Sequence, residues 1–207
     1  MMKKAFLTAA LLIAGFCVSL AQSFEQAGLK TEQQNEYSKW SIGFDMNFGE
    51  MKAKPSANLS LSGSMAITET VLIGLKGTAV WYDHRLNELD AERTYHVESG
   101  YAGVTLEKFW AFFDNFRIGI SAYVASGFLQ YKYDSKYNAE LTWTEEIIDK
   151  ETFQVFEPGL SFTYMLSKNV GMSANVNYRM TSEIKLIETD DTFMNQANFG
   201  LGIKYCF

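Results

Sequence analysis

The sequence predicts an all-β protein: eight antiparallel strands, connected up and down, closing into a barrel that crosses a membrane. Three observations carry that prediction. From Trp40 to Phe207 apolar residues recur at every second position, and helical spacing is missing. Short and long connections alternate between the strands, as they do when one end of an antiparallel sheet carries tight turns and the other carries loops. An export-type leader precedes the first strand.

That leader is MMKKAFLTAALLIAGFCVSLAQS. Lys3 and Lys4 precede an apolar run from Ala5 to Leu20, and Ser19-Leu20-Ala21 forms a small-x-small cleavage site. Residues 1–21 are expected to be a signal peptide, rather than a membrane anchor, for which the run is short. A lipoprotein anchor at Cys17 is the third option, and Phe16 stands where its processing would want a small residue. Cleavage would leave Cys206 as the one remaining thiol, so no internal disulfide is expected to staple the fold. Residues 22–37, rich in Gln and Glu, read as a flexible periplasmic leader, and residues 38–207 as the barrel.

Each strand follows from its alternation. Strand one sets Trp40, Ile42, Phe44, Met46 and Phe48 against Ser41, Gly43, Asp45 and Asn47. The stretch GEMKAKPS, around 49–56, reads as a longer connection. Strand two carries Leu59, Leu61, Gly63 and Met65; after a tight turn near Thr68-Glu69, strand three carries Val71, Ile73, Leu75, Gly77, Ala79 and Trp81. Leu72 and Val80 blur its polar row. A charged loop follows at 83–96. Strand four, from about Val97 to Phe112, is expected to show Ala102, Val104, Leu106, Trp110 and Phe112 on one face, with Lys108 interrupting the row. Asp114-Asn115 turns the chain into strand five, where Phe116, Ile118, Ile120, Ala122 and Val124 face away from Arg117, Gly119, Ser121, Tyr123 and Ala125. The longest loop covers about 130–152, and its flanks still alternate, which predicts a protruding hairpin. Strand six bears Phe156, Pro158, Leu160, Phe162 and Tyr164; Pro158 removes a ladder donor and predicts a bulge or a local pairing gap. Strand seven runs through Val170, Met172, Ala174, Val176 and Tyr178. After a last loop at about 181–196, strand eight is FGLGIKYCF, which must pair with strand one if the sheet closes.

Alternation alone does not say which row faces inward, because a soluble calyx barrel alternates as well. The second row decides. It is Gly, Ser, Thr and Asn with a few charges of both signs: Asp45, Lys76, Glu107, Arg117, Glu157, Arg179 and Lys204. Long charged side chains are otherwise gathered in the loops, unlike a soluble strand surface. Small polar residues and a balanced charge network suit a narrow lumen, where unpaired charges are costly. Large aliphatics fill the middle of the first row, and Trp40, Phe48, Trp81, Trp110, Tyr164, Tyr178 and Tyr205 sit near strand ends as an aromatic girdle. Hydrocarbon on that side accounts for a closed sheet with every backbone group paired.

With these features the sequence resembles the small eight-stranded outer-membrane barrels, OmpA/OmpX-like, and in particular the "outer membrane protein beta-barrel domain" proteins common in Bacteroidota. The resemblance spans about 38–207 and rests on the leader, the strand count, the loop lengths and the terminal Phe207. It implies an integral location in the cell outer membrane of a Gram-negative bacterium, with the N-terminus periplasmic. It also implies a monomer, escorted by periplasmic chaperones, whose last strand is read by the barrel-assembly machinery through Phe207, Tyr205, Ile203, Leu201 and Phe199.

Little chemistry is expected. There is no nucleotide loop, HExxH or CxxC, and no cofactor is predicted. A net charge of −6 argues against a nucleic-acid partner. His84 and His96 flank a loop, near Asp83, Glu98 and Ser99; a loop metal site or a lipid-modifying active site could be drawn from them only by proximity. Eight strands enclose little more than their own side chains, so a plugged lumen is expected rather than a small-solute or ion pore. The remaining function is structural or surface interaction through the loops. Tyr131, Tyr133, Tyr137 and Trp143, interleaved with acids, are the candidate interaction loop, against the plainer reading of a solvated rim.

Overall fold

The computed structural model describes residues 40–51, 54–82, 95–113, 115–133, 147–186, 189 and 191–207. Eight strands follow one another: β1 (Trp40–Met51), β2 (Lys54–Ala66), β3 (Val71–Tyr82), β4 (Tyr95–Phe113), β5 (Phe116–Tyr133), β6 (Ile147–Met165), β7 (Val170–Thr181) and β8 (Gln196–Cys206). Each pairs antiparallel with its chain neighbours, and β1 pairs with β8 to close the barrel. At the closing seam Trp40 and Phe207 exchange backbone hydrogen bonds of 3.1 and 2.9 Å. Closure removes the free edges that alternation alone would leave.

The predicted apolar row faces outward. On β1, Trp40, Ile42, Phe44, Met46 and Phe48 are all exposed, and so are Phe199, Leu201, Ile203, Tyr205 and Phe207 along β8. The other row is buried. At Gly200 an added Cβ would fall on the side-chain oxygens of Asn47 and Asn175, and at Gly202 on Asp45. Those two glycines are what lets β8 lie against a lumen already full of side chains.

Three features depart from or complete the sequence reading. The connection expected at 49–56 is only residues 52–53 long, because Gly49, Glu50 and Met51 pair with Ser56, Pro55 and Lys54 as continuing strand. Proline is tolerated there near the strand start. The gap predicted at Pro158 is present: β6 and β7 pair at Phe156–Met180 and again at Gly159–Asn177, with no pairing between. The protruding hairpin is also present, and it takes in a third strand. β4 and β6 have 19 residues each and β5 has 18, against 11 to 13 in the others. The overhang is uneven: on the β6 side the eight residues Ile147–Gln154 run past the last β7 pair, about 25 Å at roughly 3.3 Å per residue, whereas β4 runs only Tyr95 and His96 past its last pair with β3. β6 meets β7 only from Val155 on, with Ser182 N donating to Gln154 O, so Ile147–Phe153 pairs with β5 alone among the described residues.

Candidate functional site: a lumen in two layers and the sheet above it

The lumen has a charged layer toward the short turns and an apolar layer toward the long loops. In the first, Lys204 Nζ donates to Glu107 Oε2 at 2.9 Å, and Ser161 Oγ donates to Glu107 Oε1 at 2.9 Å. Asp45 accepts from Ser173 Oγ at 3.4 Å and Asn175 Nδ2 at 3.3 Å, with Lys76 and Lys204 in Coulombic reach. Lys76 Nζ stands 5.1 Å from the centre of the Tyr123 ring, and Arg117 lies 5.2 Å from that of Phe109. Next along the axis comes a layer of hydroxyls and amides: Ser60 with Thr78 at 2.9 Å, and Asn58 Nδ2 donating to Asn198 Oδ1 at 3.0 Å.

Glu157 and Arg179 are separated from that network. Glu157 lies within the Pro158 gap, and Arg179 is wholly buried. They meet through Tyr101: its hydroxyl donates to Glu157 Oε2 at 3.1 Å and receives Arg179 Nη1 at 3.3 Å. Arg179 also covers the Tyr101 ring at 5.6 Å and donates from Nε to Met194 O at 2.9 Å. Six of the seven charges predicted for the lumen therefore gather in two groups, Asp45, Lys76, Glu107 and Lys204 in one and Glu157 with Arg179 in the other, while Arg117 stands over Phe109. A buried charge needs close, hydrogen-bonded partners, and each group is completed by tyrosine, serine or asparagine as well as by opposite charge.

Toward the long loops the interior turns apolar, contrary to the expectation of small polar residues throughout. Val80, Tyr82, Val97, Tyr101, Leu129, Phe153 and Val155 line it. The chain between β7 and β8, read from the sequence as the last loop, folds down onto them. Ile184, Leu186, Phe193 and Met194 are each at most 5% exposed, and Phe193 meets Tyr82 edge-on at 5.6 Å. Asn195 Oδ1 ties the segment to its own barrel wall by accepting from Thr181 N at 2.7 Å and Thr181 Oγ1 at 3.1 Å. The only hint in the sequence is five large apolar residues inside a polar stretch, Ile184, Leu186, Ile187, Phe193 and Met194, without a sustained period-2 pattern of the kind that marks strands. Tyr131, placed by sequence in the interaction loop, belongs to this core at 1% exposure. Tyr133 ends β5; Tyr137 and Trp143 lie outside the described residues, as do Asp83 and His84.

Of the predicted girdle, Trp40, Tyr164 and Tyr205 are exposed near the short turns, and Phe48, Trp81 and Tyr178 near the long loops. Trp110 is on the outward row but only 7% exposed, with Lys108 Nζ 5.6 Å from its ring centre. Cys206 is buried and free, as its place on the inward row predicts. Ser99 and Glu98 are successive residues of β4 and so point to opposite faces of the sheet. Ser99 Oγ donates to Phe128 O at 3.0 Å, while Glu98 accepts from Gln130 Nε2 at 2.9 Å. Among the described residues no cluster of three His, Cys, Asp or Glu side chains could hold a metal ion.

No protein-family model and no curated sequence matches this chain. Solved structures do. The N-terminal β-barrel domain of Pseudomonas aeruginosa OprF superposes with a TM-score of 0.52 at 12% identity, covering 83% of this chain and 100% of that one. Neisserial surface protein A superposes with a TM-score of 0.55 at 11% identity, covering 84% and 100%. The likeness is one of fold: an eight-stranded antiparallel closed barrel.

Proposed function

We propose that the protein is an integral outer-membrane barrel with a closed lumen, presenting the overhanging β4–β6 sheet as its interaction surface. The observation that carries the membrane reading is the inverted polarity of the barrel. Large apolar side chains cover the outside of the strands, half-exposed at values such as 50% for Phe44 and 56% for Leu201, while acids, bases and amides fill the inside. A continuous belt of that kind is unfavourable in water and favourable in hydrocarbon, where closing the sheet by β1–β8 pairing spares it two open edges. The exposed row ending in Tyr205 and Phe207 supports recognition by the assembly machinery, and the short-turn end is then the periplasmic one.

The closed lumen is supported by Glu107–Lys204 at one level, Arg179–Tyr101–Glu157 at the next and the apolar plug above them. A surface role is supported by the overhang, whose β6 residues Lys150–Phe153 have no ladder pairing with β7 among the described residues, the arrangement that strand addition uses.

Cell fractionation joined to gel mobility tests the reading. The protein is expected in the outer membrane, resistant to high-pH extraction, and shifted on gels by boiling. Recovery in the soluble periplasmic fraction would overturn it. In planar bilayers no steady openings are expected; large sustained conductance would refute the closed lumen.

A further inference from the structure

One stretch of the outer wall is not a ridge of large side chains. Two successive outward rows cross four strands there: Leu61, Gly77, Ala102 and Ser126, then Leu59, Ala79, Gly100 and Phe128. Their small members form the floor of a groove of about 560 Å3, with Leu61 and Phe128 among its walls. That volume lies in the range of sites that take small organic ligands. The floor is not small because anything crowds it. A Cβ at Gly77 would have nothing within 4 Å, and one at Gly100 would make only ordinary contacts at 3.4 Å and beyond. A lone outward glycine of this kind, such as Gly63, leaves no groove, but Gly77 and Gly100 lie together with Ala79, Ala102 and Ser126, and the continuous trough they make has room for an occupant.

The next outward row, toward the long loops, identifies that occupant. It reads Ala57, Trp81, Glu98, Gln130 and Lys150. Glu98 is already matched, by Gln130 Nε2 at 2.9 Å and by Lys132 Nζ at 4.0 Å. Lys150 is exposed, its Nζ stands 5.3 Å from the centre of the Phe128 ring, and among the described residues no carboxylate lies within ion-pair distance of it. An apolar trough thus ends at a tryptophan, an amide and an unmatched cation. We infer that this groove is a specific binding site for a phosphate-bearing membrane lipid, its acyl chain on the Gly77–Gly100 floor and its phosphate at Lys150. The inference rests on the membrane reading above.

Native mass spectrometry of the full barrel tests it, with the protein released from micelles containing equal dimyristoyl phosphatidylglycerol and dimyristoyl phosphatidylcholine. The wild type should retain one phosphatidylglycerol in preference by about fivefold, the worth of one interfacial lysine. Gly77→Leu fills the trough and should lose the bound lipid of either kind. Gly63→Leu, at another outward glycine with nothing within 4 Å and outside the groove, should bind as wild type. Lys150→Gln should keep a lipid but lose the headgroup preference. Equal retention by Gly77→Leu and wild type, equal loss in Gly63→Leu, or a barrel dimer in place of a lipid adduct would each overturn the site. Boiling-dependent gel mobility verifies folding of every variant. If Gly77→Leu fails that check, Gly77→Ala and Lys150→Gln carry the comparison. A folded, membrane-embedded barrel without lipid preference would refute this site and leave the membrane reading intact.

Discussion

On the short-turn side of Tyr101 the barrel is filled by a charge pair and its hydroxyl and amide neighbours; on the long-loop side it is filled by aromatic rings and a returning segment of chain. The first arrangement is built by strand residues whose inward direction is set by alternation. The second needs residues from a connection, bent back into the mouth, and so depends on an anchor. Arg179 is that anchor. Its guanidinium reaches the Tyr101 hydroxyl on one side and the Met194 carbonyl on the other, joining the two fillings.

Breaking the junction should have the largest effect. Arg179→Ala strands Glu157 without its cationic partner and leaves the Met194 carbonyl unpaired, which should destabilise the barrel by about 3–5 kcal/mol. Urea unfolding in lipid vesicles, followed by tryptophan fluorescence, measures it; a loss below about 1 kcal/mol would show that the plug is held without Arg179. Phe193→Ala attacks only the apolar filling and should cost about 3 kcal/mol, with faster proteolysis between β7 and β8. If that segment stays resistant, Phe193 is not its main contact.

Two further variants examine the polar filling. Gly202→Ala forces a Cβ onto Asp45 and should cost about 1–3 kcal/mol, as overpacking does. A neutral result would mean that Asp45 moves aside freely. For Glu107 and Lys204 the double-mutant cycle Glu107→Gln with Lys204→Met should give a coupling of about 1 kcal/mol, less than a deeply buried pair because both side chains keep about a fifth of their exposure. A coupling near that of Arg179 would erase the distinction between the layers.

The same division explains what could be read from the sequence. Strand order, outward rows, the Pro158 gap and the inward Cys206 were all legible, because period-2 alternation is local and proline's missing donor acts where proline stands. The inward direction of the seven charges was legible too, but their partners were not. Glu107 meets Lys204 and Arg179 meets Tyr101 across the lumen, and such meetings depend on how far the strands are staggered. Turn-forming residues misled at 49–56, where Gly49 and Pro55 sit inside a hairpin arm. The plug was hidden for the opposite reason: Ile184, Leu186, Phe193 and Met194 follow no period, and only the cavity they enter gives them an address. Tyr131 was assigned to the loop because turn-forming and charged residues begin soon after it, whereas β5 continues to Tyr133 alongside two equally long neighbours.

Seven of the eight seams join strands adjacent in the chain, and only β1 with β8 joins segments from opposite ends of the described sequence. Hairpins form on short chain loops, whereas this last contact must overcome a large closure entropy before it is rewarded. The folding barrier is therefore concentrated in a single zipping event, in which Phe48–Phe199 through Ile42–Tyr205 must align in register. Once that zip is shut, unfolding must reopen it against the full ladder, so the barrel's lifetime is governed by this seam more than by the sum of its hairpins.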